Sequence, residues 1–367
     1  MDIGKILNVI FFIFAVIGAA DYLLDNRFGI GKEFERGIRC AGTLILCMAG
    51  FMTLAPVIGR FLAPKLTPFF VKIGADPSLL AGILFSIDSG GAVTAKEMAL
   101  SEEAYLLNGY LVATMFGSAV NGNISLSVAV IRPERRRLVL FGLAIGIISI
   151  PFGCLIGGLL AGFSVKTLFG NLIPLFLLSL LLTSSIVLFS KVLEKILKIF
   201  GKGMVLLCLF GLLVCAGREL CGFSFPFELG DFGEIMVIIG KIVLCLIGVF
   251  PLLGIILKLL KKPIAKLAQK TGTSVLDLNC LIMDLVNCFS SIDMLNEMTD
   301  TGILLNCALG IGAGYALGDH FAYVTATEPG LTIPLLLGKF AAGAFSILAV
   351  ALLARFIIRE GKESSES

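Results

Sequence analysis

The chain has 367 residues, of which 57% are hydrophobic and only 15% charged, with a net charge of +3. Soluble domains average about 45–50% apolar and about 25% charged residues, so this composition, with a mean hydropathy of +1.01, excludes an ordinary soluble enzyme. The small net charge sits in loops, and a nucleic-acid partner would need a basic face.

The length is better counted in membrane spans of about 20 residues each. The first apolar segment starts at Ile3 with no small-residue cleavage site after it, so it reads as a span and not as a removable signal. Eleven segments of suitable length and polarity follow one another, at about 3–24, 39–62, 77–98, 104–131, 138–163, 168–193, 203–221, 232–260, 274–297, 302–327 and 330–357. Backbone in lipid must bond internally, and no barrel-like alternation is present. The expected fold is therefore all-α: a polytopic membrane helix bundle of about 10–12 segments, one transmembrane domain over 1–357 with a polar tail at 358–367. The third and ninth segments are the least apolar. They hold "S-I-D-S-G-G" (Ser86 to Gly91) and "N-C-F-S-S-I-D" (Asn287 to Asp293), and either reads as a span or as a broken or re-entrant helix.

Charge alternates between loops. Arg60, Lys65 and Lys72, then "R-P-E-R-R-R" (Arg132 to Arg137), then Lys191 to Lys202, then Lys258 to Lys270 are basic. The loops around Glu102, Glu228 to Glu234 and Glu297 to Asp300 are acidic. The positive-inside rule puts the basic loops and the N-terminus in the cytoplasm. Arg27 to Arg39 and the tail with Arg355 and Arg359 fit that scheme badly. Eight of the ten cysteines lie inside apolar segments and no CxxC pair occurs, so they read as small hydrophobes and not as disulfide or metal ligands.

The chain also repeats itself at an offset of 198 positions. Leu46 to Lys65 aligns with Leu244 to Pro263, "L-L-N-G" (Leu106 to Gly109) with "L-L-N-C" (Leu304 to Cys307), and Asn121 with Asp319. This divides the domain into repeat one at about 40–163, linking helices at 164–231 and repeat two at about 232–357 or 238–357. Internal repeats with a midplane site at their interface are characteristic of secondary transporters. If every segment crosses, the copies are parallel, and the charge bias favours that arrangement. If the third and ninth are re-entrant, the copies are inverted.

A charge inside a span costs at least about 2.5–3.5 kcal/mol and usually faces a cavity. The candidates are Asp88, Asp284 and Asp319, with Asp293 and Lys96 behind them. Asp88 and Ser89 precede two glycines, which let the backbone leave the helix; a capping aspartate at a helix end is the bland alternative. Thr114, Ser118, Asn121 and Ser125 form one polar stripe, and Asp277, Asp284, Asn287 and Ser291 another. Either stripe lines a cavity or bonds helix to helix. Tyr315, Asp319 and Tyr323 are four apart, so a continuous helix would set a carboxylate between two aromatics, an arrangement suited to an organic cation. His320, the only histidine, would point about 100° away. "G-I-G-A-G" (Gly310 to Gly314) reads as helix packing. No nucleophile motif, metal cluster or cofactor fingerprint is present, so the expectation is no enzyme and no cofactor.

"G-A-D-P-S-L-L-A-G" (Gly74 to Gly82), "D-S-G-G" (Asp88 to Gly91) with "A-K-E" (Ala95 to Glu97), "I-P-F-G-C-L-I-G-G-L-L-A" (Ile150 to Ala161) and "A-L-G-D-H" (Ala316 to His320) together resemble the bacterial ethanolamine utilization proteins of the EutH type, over about Ile3 to Leu353. The resemblance implies an ethanolamine permease or facilitator of the inner membrane, with cytoplasmic ethanolamine-degrading enzymes downstream, and leaves a homo-oligomer open. The substrate would travel as the ammonium on Asp88 or Asp319, its hydroxyl on Asn121, Asn287 or serines, or as the neutral amine. The competing readings are an ion-coupled carrier of another small polar metabolite and a membrane-embedded enzyme or complex subunit.

Overall fold

The computed structural model describes residues 3–366, and every element among them is helical. In chain order these are α1 (Ile3–Leu23), α2 (Gly31–Lys72), α3 (Ser78–Leu84), α4 (Gly91–Met98), α5 (Glu102–Val130), α6 (Arg136–Leu160), α7 (Val165–Leu188), α8 (Ser190–Cys221), α9 (Phe232–Leu259), α10 (Lys261–Thr271), α11 (Val275–Asp284), α12 (Phe289–Asp293), α13 (Asp300–Gly312), α14 (Asp319–Thr327) and α15 (Thr332–Glu366). Eight of them, α1, α2 and α5 to α9 with α15, are long and apolar enough to cross a membrane. Several helix starts, spanning and short alike, are written in the sequence as N-caps. Ser101, Ser164, Asp231, Ser274 and Thr299 each accept a backbone N–H three residues on, which satisfies a donor the helix cannot. All ten cysteines are free thiols, and α15 continues through the polar tail to Glu366.

The third and ninth segments do not cross. Residues 77–98 fold as a hairpin of α3 and α4, and residues 274–297 as a hairpin of α11 and α12. Each hairpin is tied shut at its base. The Asp76 carboxylate accepts from Ser78 N (2.9 Å) and Ser78 Oγ (2.6 Å) before α3, and from Leu100 N (2.9 Å) after α4. Asp277 accepts from Ser274 N (2.7 Å) and from Thr299 N (3.1 Å) and Thr299 Oγ1 (2.6 Å). An asparagine braces each base from the next helix. Asn108 donates to Ser78 Oγ at 3.0 Å and Asn306, 198 positions on, to Asp277 O at 3.1 Å. Entry and exit thus lie side by side, so seven- and five-residue helices reach only part way through the bundle. Asp76 is buried and carries several charge-assisted bonds. Asp76→Ala should lower stability by about 1.5–3 kcal/mol, read as an earlier thermal melt in detergent with ligand affinity retained.

The tenth segment is also interrupted. α13 stops at Gly312 and α14 starts at Asp319, leaving an unwound stretch at 313–318. Its counterpart α5 does not break. Instead it is underwound into wider i→i+5 hydrogen bonding over Leu107–Gly117 and Ala119–Asn123, a geometry concentrated at functional sites.

With both hairpins re-entrant, the loops sort into two ends. One end joins the base of the first hairpin to the acidic loops: Arg60 bonds Glu97 (2.9 Å) and Glu228 (2.6 Å), and Glu103 accepts from Ser164 Oγ at 2.6 Å. The other end joins the base of the second hairpin to the basic loops. Arg135 bonds Asp300 at 2.8 Å, Asn296 bonds the chain at Val130 and Arg132, and Lys258 donates to Phe28 O. α15 delivers the tail to that end, where Ala354 and Ile357 pack on Leu304 and Leu138. Arg27 to Arg39 and the basic tail, which fit badly when eleven segments cross, therefore join the basic end. Arg60, Lys65 and Lys72 depart from the expected pattern, because α2 carries them towards the base of the first hairpin, where Arg60 has acidic partners; Glu297 to Asp300 depart as well, with Asp300 held by Arg135 at the basic end.

Candidate functional site

The two hairpin tips and the unwound stretch meet in the middle of the bundle. At the first tip α3 ends, Phe85 and Ser86 are extended, and a single turn over Ile87–Ser89 presents Asp88. Gly90 reverses the chain with φ +78°, and a Cβ there would stand 2.1 Å from the Phe51 ring. At the second tip α11 ends at Asp284. Its last carbonyls are taken up by the unwound stretch: Tyr315 N donates to Asp284 O (2.9 Å) and Leu317 N to Leu285 O (2.7 Å). Backbone freed by breaking one helix thus satisfies backbone freed by ending another, which is how irregular chain survives at membrane depth.

Around these tips lies a cavity of about 350 Å³. Asp88, Ser89, Asn121, Asn287, Tyr315, Asp319 and His320 all line it. Seven candidate residues from four separate segments are brought to one place. Ser86, Ser118 and Asn123 add polar groups, and Phe250 and Phe289 add aromatic faces. Asp88 Oδ1 is shielded and has no hydrogen-bond partner among the described residues; His320 Nε2 stands 3.9 Å away. Asp319 sits in the first turn of α14, where one oxygen accepts from His320 N at 2.9 Å. Tyr315 donates to Asn123 Oδ1 at 3.0 Å and packs on the His320 ring at 4.9 Å between centroids.

Behind His320 stands Lys339, fully buried on α15. Its ammonium reaches Thr114 O at 2.8 Å on α5, Gly314 O at 2.6 Å in the unwound stretch, and His320 Nδ1 at 3.2 Å. Those three acceptors match the three donors of an ammonium. Nδ1 then carries no proton, and the ring N–H is Nε2, which faces Ser86 Oγ at 3.4 Å and Asp88. Lys339 was not among the candidates read from the sequence. The signal was there, a lone charge in "L-L-L-G-K-F-A-A", and the cost of an intramembrane charge points to it as to Asp88.

Two expected site residues go elsewhere. Tyr315, Asp319 and Tyr323 do not share a helical face, because Tyr315 lies in the unwound stretch with φ +59° and α14 begins only at Asp319. Tyr315 reaches the cavity through the break. Tyr323 points away from it, buried with its ring 6.2 Å from that of Tyr110. Asp284 faces a separate void of about 10 Å³, hydrogen-bonded by Ser291 Oγ. Its stripe partner Asp277 is the hairpin clamp, and only Asn287 of that stripe reaches the cavity. From the other stripe Ser118 and Asn121 do so, while the Thr114 hydroxyl turns back on Leu111 O at 3.0 Å. Glu97 binds Arg60, as above, and Gly314 ends its packing motif by offering its carbonyl to Lys339. Among the described residues no group of three His, Cys, Asp or Glu side chains is placed to hold a metal ion.

The cavity therefore offers two carboxylates, hydroxyl and amide groups, and aromatic faces. A small organic cation with a hydroxyl group would find a charge partner, hydrogen bonds and cation–π contact there.

Comparison with known proteins agrees in outline. The family described as "Ethanolamine utilisation protein, EutH" matches residues 3–353. A protein of Listeria monocytogenes named "Probable ethanolamine permease EutH" is 33% identical over all of this chain and 98% of its own length. The "Uncharacterized protein YxeR" of Bacillus subtilis is 30% identical over 96% of this chain and 95% of its own. A Salmonella typhimurium protein, also named "Probable ethanolamine permease EutH", is 29% identical over 96% of each chain. No solved structure matches.

Proposed function

The chain belongs to the EutH family of ethanolamine utilisation proteins, and on that premise we propose that it is a permease carrying protonated ethanolamine through the Asp88–Asp319 cavity. The observation that carries this reading is the shielded, unpartnered Asp88 Oδ1 at the cavity wall. A shielded carboxylate oxygen without a partner is costly unless a ligand supplies one. A primary amine, like lysine with its pKa of about 10.4, is an ammonium at neutral pH and below. Asp319, Asn121, Asn287 and Tyr315 complete the pocket for its hydroxyl arm.

Alternating access is the mechanism this architecture supports. The elements of residues 31–160 recur in order 198 positions later: long helix, clamped hairpin, a helix irregular at mid-length (widened in the first copy, broken in the second), long helix. The hairpin bases share paired N-caps at Ser101 and Thr299 and paired braces at Asn108 and Asn306. The two re-entrant hairpins leave five crossings between the copies, so the repeats are inverted, not parallel. Inverted repeats, related by a pseudo-two-fold axis in the membrane plane, allow openings to either side of one midplane site. Away from the tip of the first hairpin, the cavity is lined by the halves of α2, α5, α8 and α9 nearer the basic end. The positive-inside rule makes that end cytoplasmic, so this conformation is inward-facing, in the inner membrane. With nine crossings, α1 then begins outside. Ethanolamine would be handed to cytoplasmic enzymes that degrade it.

Purified protein in liposomes should exchange labelled ethanolamine at acidic pH and low substrate, where diffusion of the neutral amine is slow. Uptake no faster than in empty liposomes would remove the permease reading.

A further inference from the structure

The cavity holds two carboxylates within reach of one small ligand, and this would be self-defeating without a resident cation. Building on the ammonium-carrier reading, we propose that Lys339 is the specificity-determining residue of the site: it offsets one of the two carboxylates, leaving a net charge of one for the substrate, and so selects monocations over dications.

The charge balance follows from the side chains that face Lys339 and the cavity. Asp88 and Asp319 are the acidic residues lining it, and His320 is the sole basic one among the described residues. With Lys339 as the ammonium, His320 is neutral through its Nδ1 acceptor role. The other ionisable neighbours of Lys339 are the thiols of Cys154 on α6 and Cys288 beside the second tip, with the Tyr315 phenol next to His320, all neutral in their protonated forms. Arg36 stacks over Phe250 at the cavity wall and is matched by Glu33 at 3.5 Å. One positive and two negative charges remain, and a single ammonium brings the site to neutrality. A second ammonium would meet like charge in a low dielectric, where repulsion is strong. Size does not impose this limit, since about 350 Å³ would hold a short diamine.

Position strengthens the case. Lys339 Nζ is held by carbonyls of the widened i→i+5 stretch of α5 and the unwound stretch before α14, where freed carbonyls in other carriers coordinate a cation. Here the protein supplies that cation itself, and His320 is its polar link to the substrate pocket.

The test compares 3-aminopropanol with 1,3-diaminopropane, which differ only in a terminal hydroxyl or ammonium, as competitors of labelled ethanolamine uptake into liposomes holding the full-length protein. The unaltered protein should prefer the monoamine by about tenfold or more. Lys339→Met should shift that ratio about tenfold towards the diamine. Lys339→Met combined with Asp319→Asn, which restores the net charge, should return it. An unchanged ratio in Lys339→Met, or a double variant no different from the single one, overturns the proposal. If the methionine variants fail to fold, judged by size-exclusion profile and thermal melt, Lys339→Arg should keep the monoamine preference. Asp319→Asn alone should then weaken the diamine more than the monoamine, and an equal loss for both overturns the proposal. Failure of the unaltered protein to take up ethanolamine removes the carrier reading and this inference together, whereas normal uptake with an unmoved ratio removes only the inference.

Discussion

Asp88→Asn should weaken ethanolamine binding by one to two orders of magnitude while leaving the protein folded. The asparagine keeps the shape of the hairpin tip but removes the charge. A hydrogen bond to a charged group is worth about 1.5–3 kcal/mol, and each 1.4 kcal/mol is about tenfold in affinity. The folded state has little to lose, because Asp88 Oδ1 has no partner among the described residues and Asp88 remains partly exposed to the cavity. Asp319→Asn should cost less affinity, since one Asp319 oxygen is already engaged by its own helix start. Isothermal titration of the purified variants with ethanolamine checks both. Equal affinity for Asp88→Asn and the unaltered protein would take Asp88 out of the site.

Gly318→Ala should damage the fold more than any single change in the cavity lining. The unwound stretch passes so close to the second hairpin tip that a Cβ on Gly318 would lie 2.1 Å from Val286 O. The atom in the way is backbone, flanked by the Leu285 carbonyl that accepts from Leu317 N, so it cannot turn aside as a side chain would. Overpacking of this kind typically costs about 1–3 kcal/mol, and here it would also pull apart the two backbone hydrogen bonds that satisfy the unwound stretch. The expected result is a lower melting temperature together with loss of amine binding, because Tyr315, Asp319 and His320 all hang from that stretch. A variant that melts normally and binds normally would show that the contact is not rigid. Gly222→Ala, where a Cβ would meet nothing within 4 Å but φ is +67°, is the control for conformational strain alone, about 1–2 kcal/mol.

The bundle's class was legible because it follows from composition: lipid admits helices, and apolar runs of the right length mark them. The site was legible in part for a related reason. Charges in apolar segments are costly enough that each one carries information, and Asp88, Asp319 and His320 do line one cavity. Lys339 obeys the same rule, as a lone charge in an apolar run. The Tyr315–Asp319–Tyr323 face failed for a different reason. Helical spacing assumes an unbroken helix, and nothing in "A-G-Y-A-L-G-D-H" says that the chain unwinds there, since glycines also serve close helix packing. Asp284 and Asp277 show the same ambiguity from the other side. By sequence alone a polar residue on a stripe reads equally as cavity wall, helix cap or hairpin clamp, and only its partners, Ser291 for one and Thr299 for the other, decide.

By itself the sequence determined that this protein is a helical membrane bundle with a few buried charges, and its similarity to relatives placed it in a family. Those properties depend on residue type and on spacing along the chain, which sequence records directly. The tertiary structure alone decided which apolar segments turn back instead of crossing, which end gathers the basic loops, and which polar groups share the cavity with Asp88. Each of those depends on a bond between residues far apart in the chain, such as Asp76 with Leu100, Tyr315 with the carbonyl of Asp284, or Lys339 with His320. A hairpin and a span have the same composition, and they differ only in whether such a clamp closes.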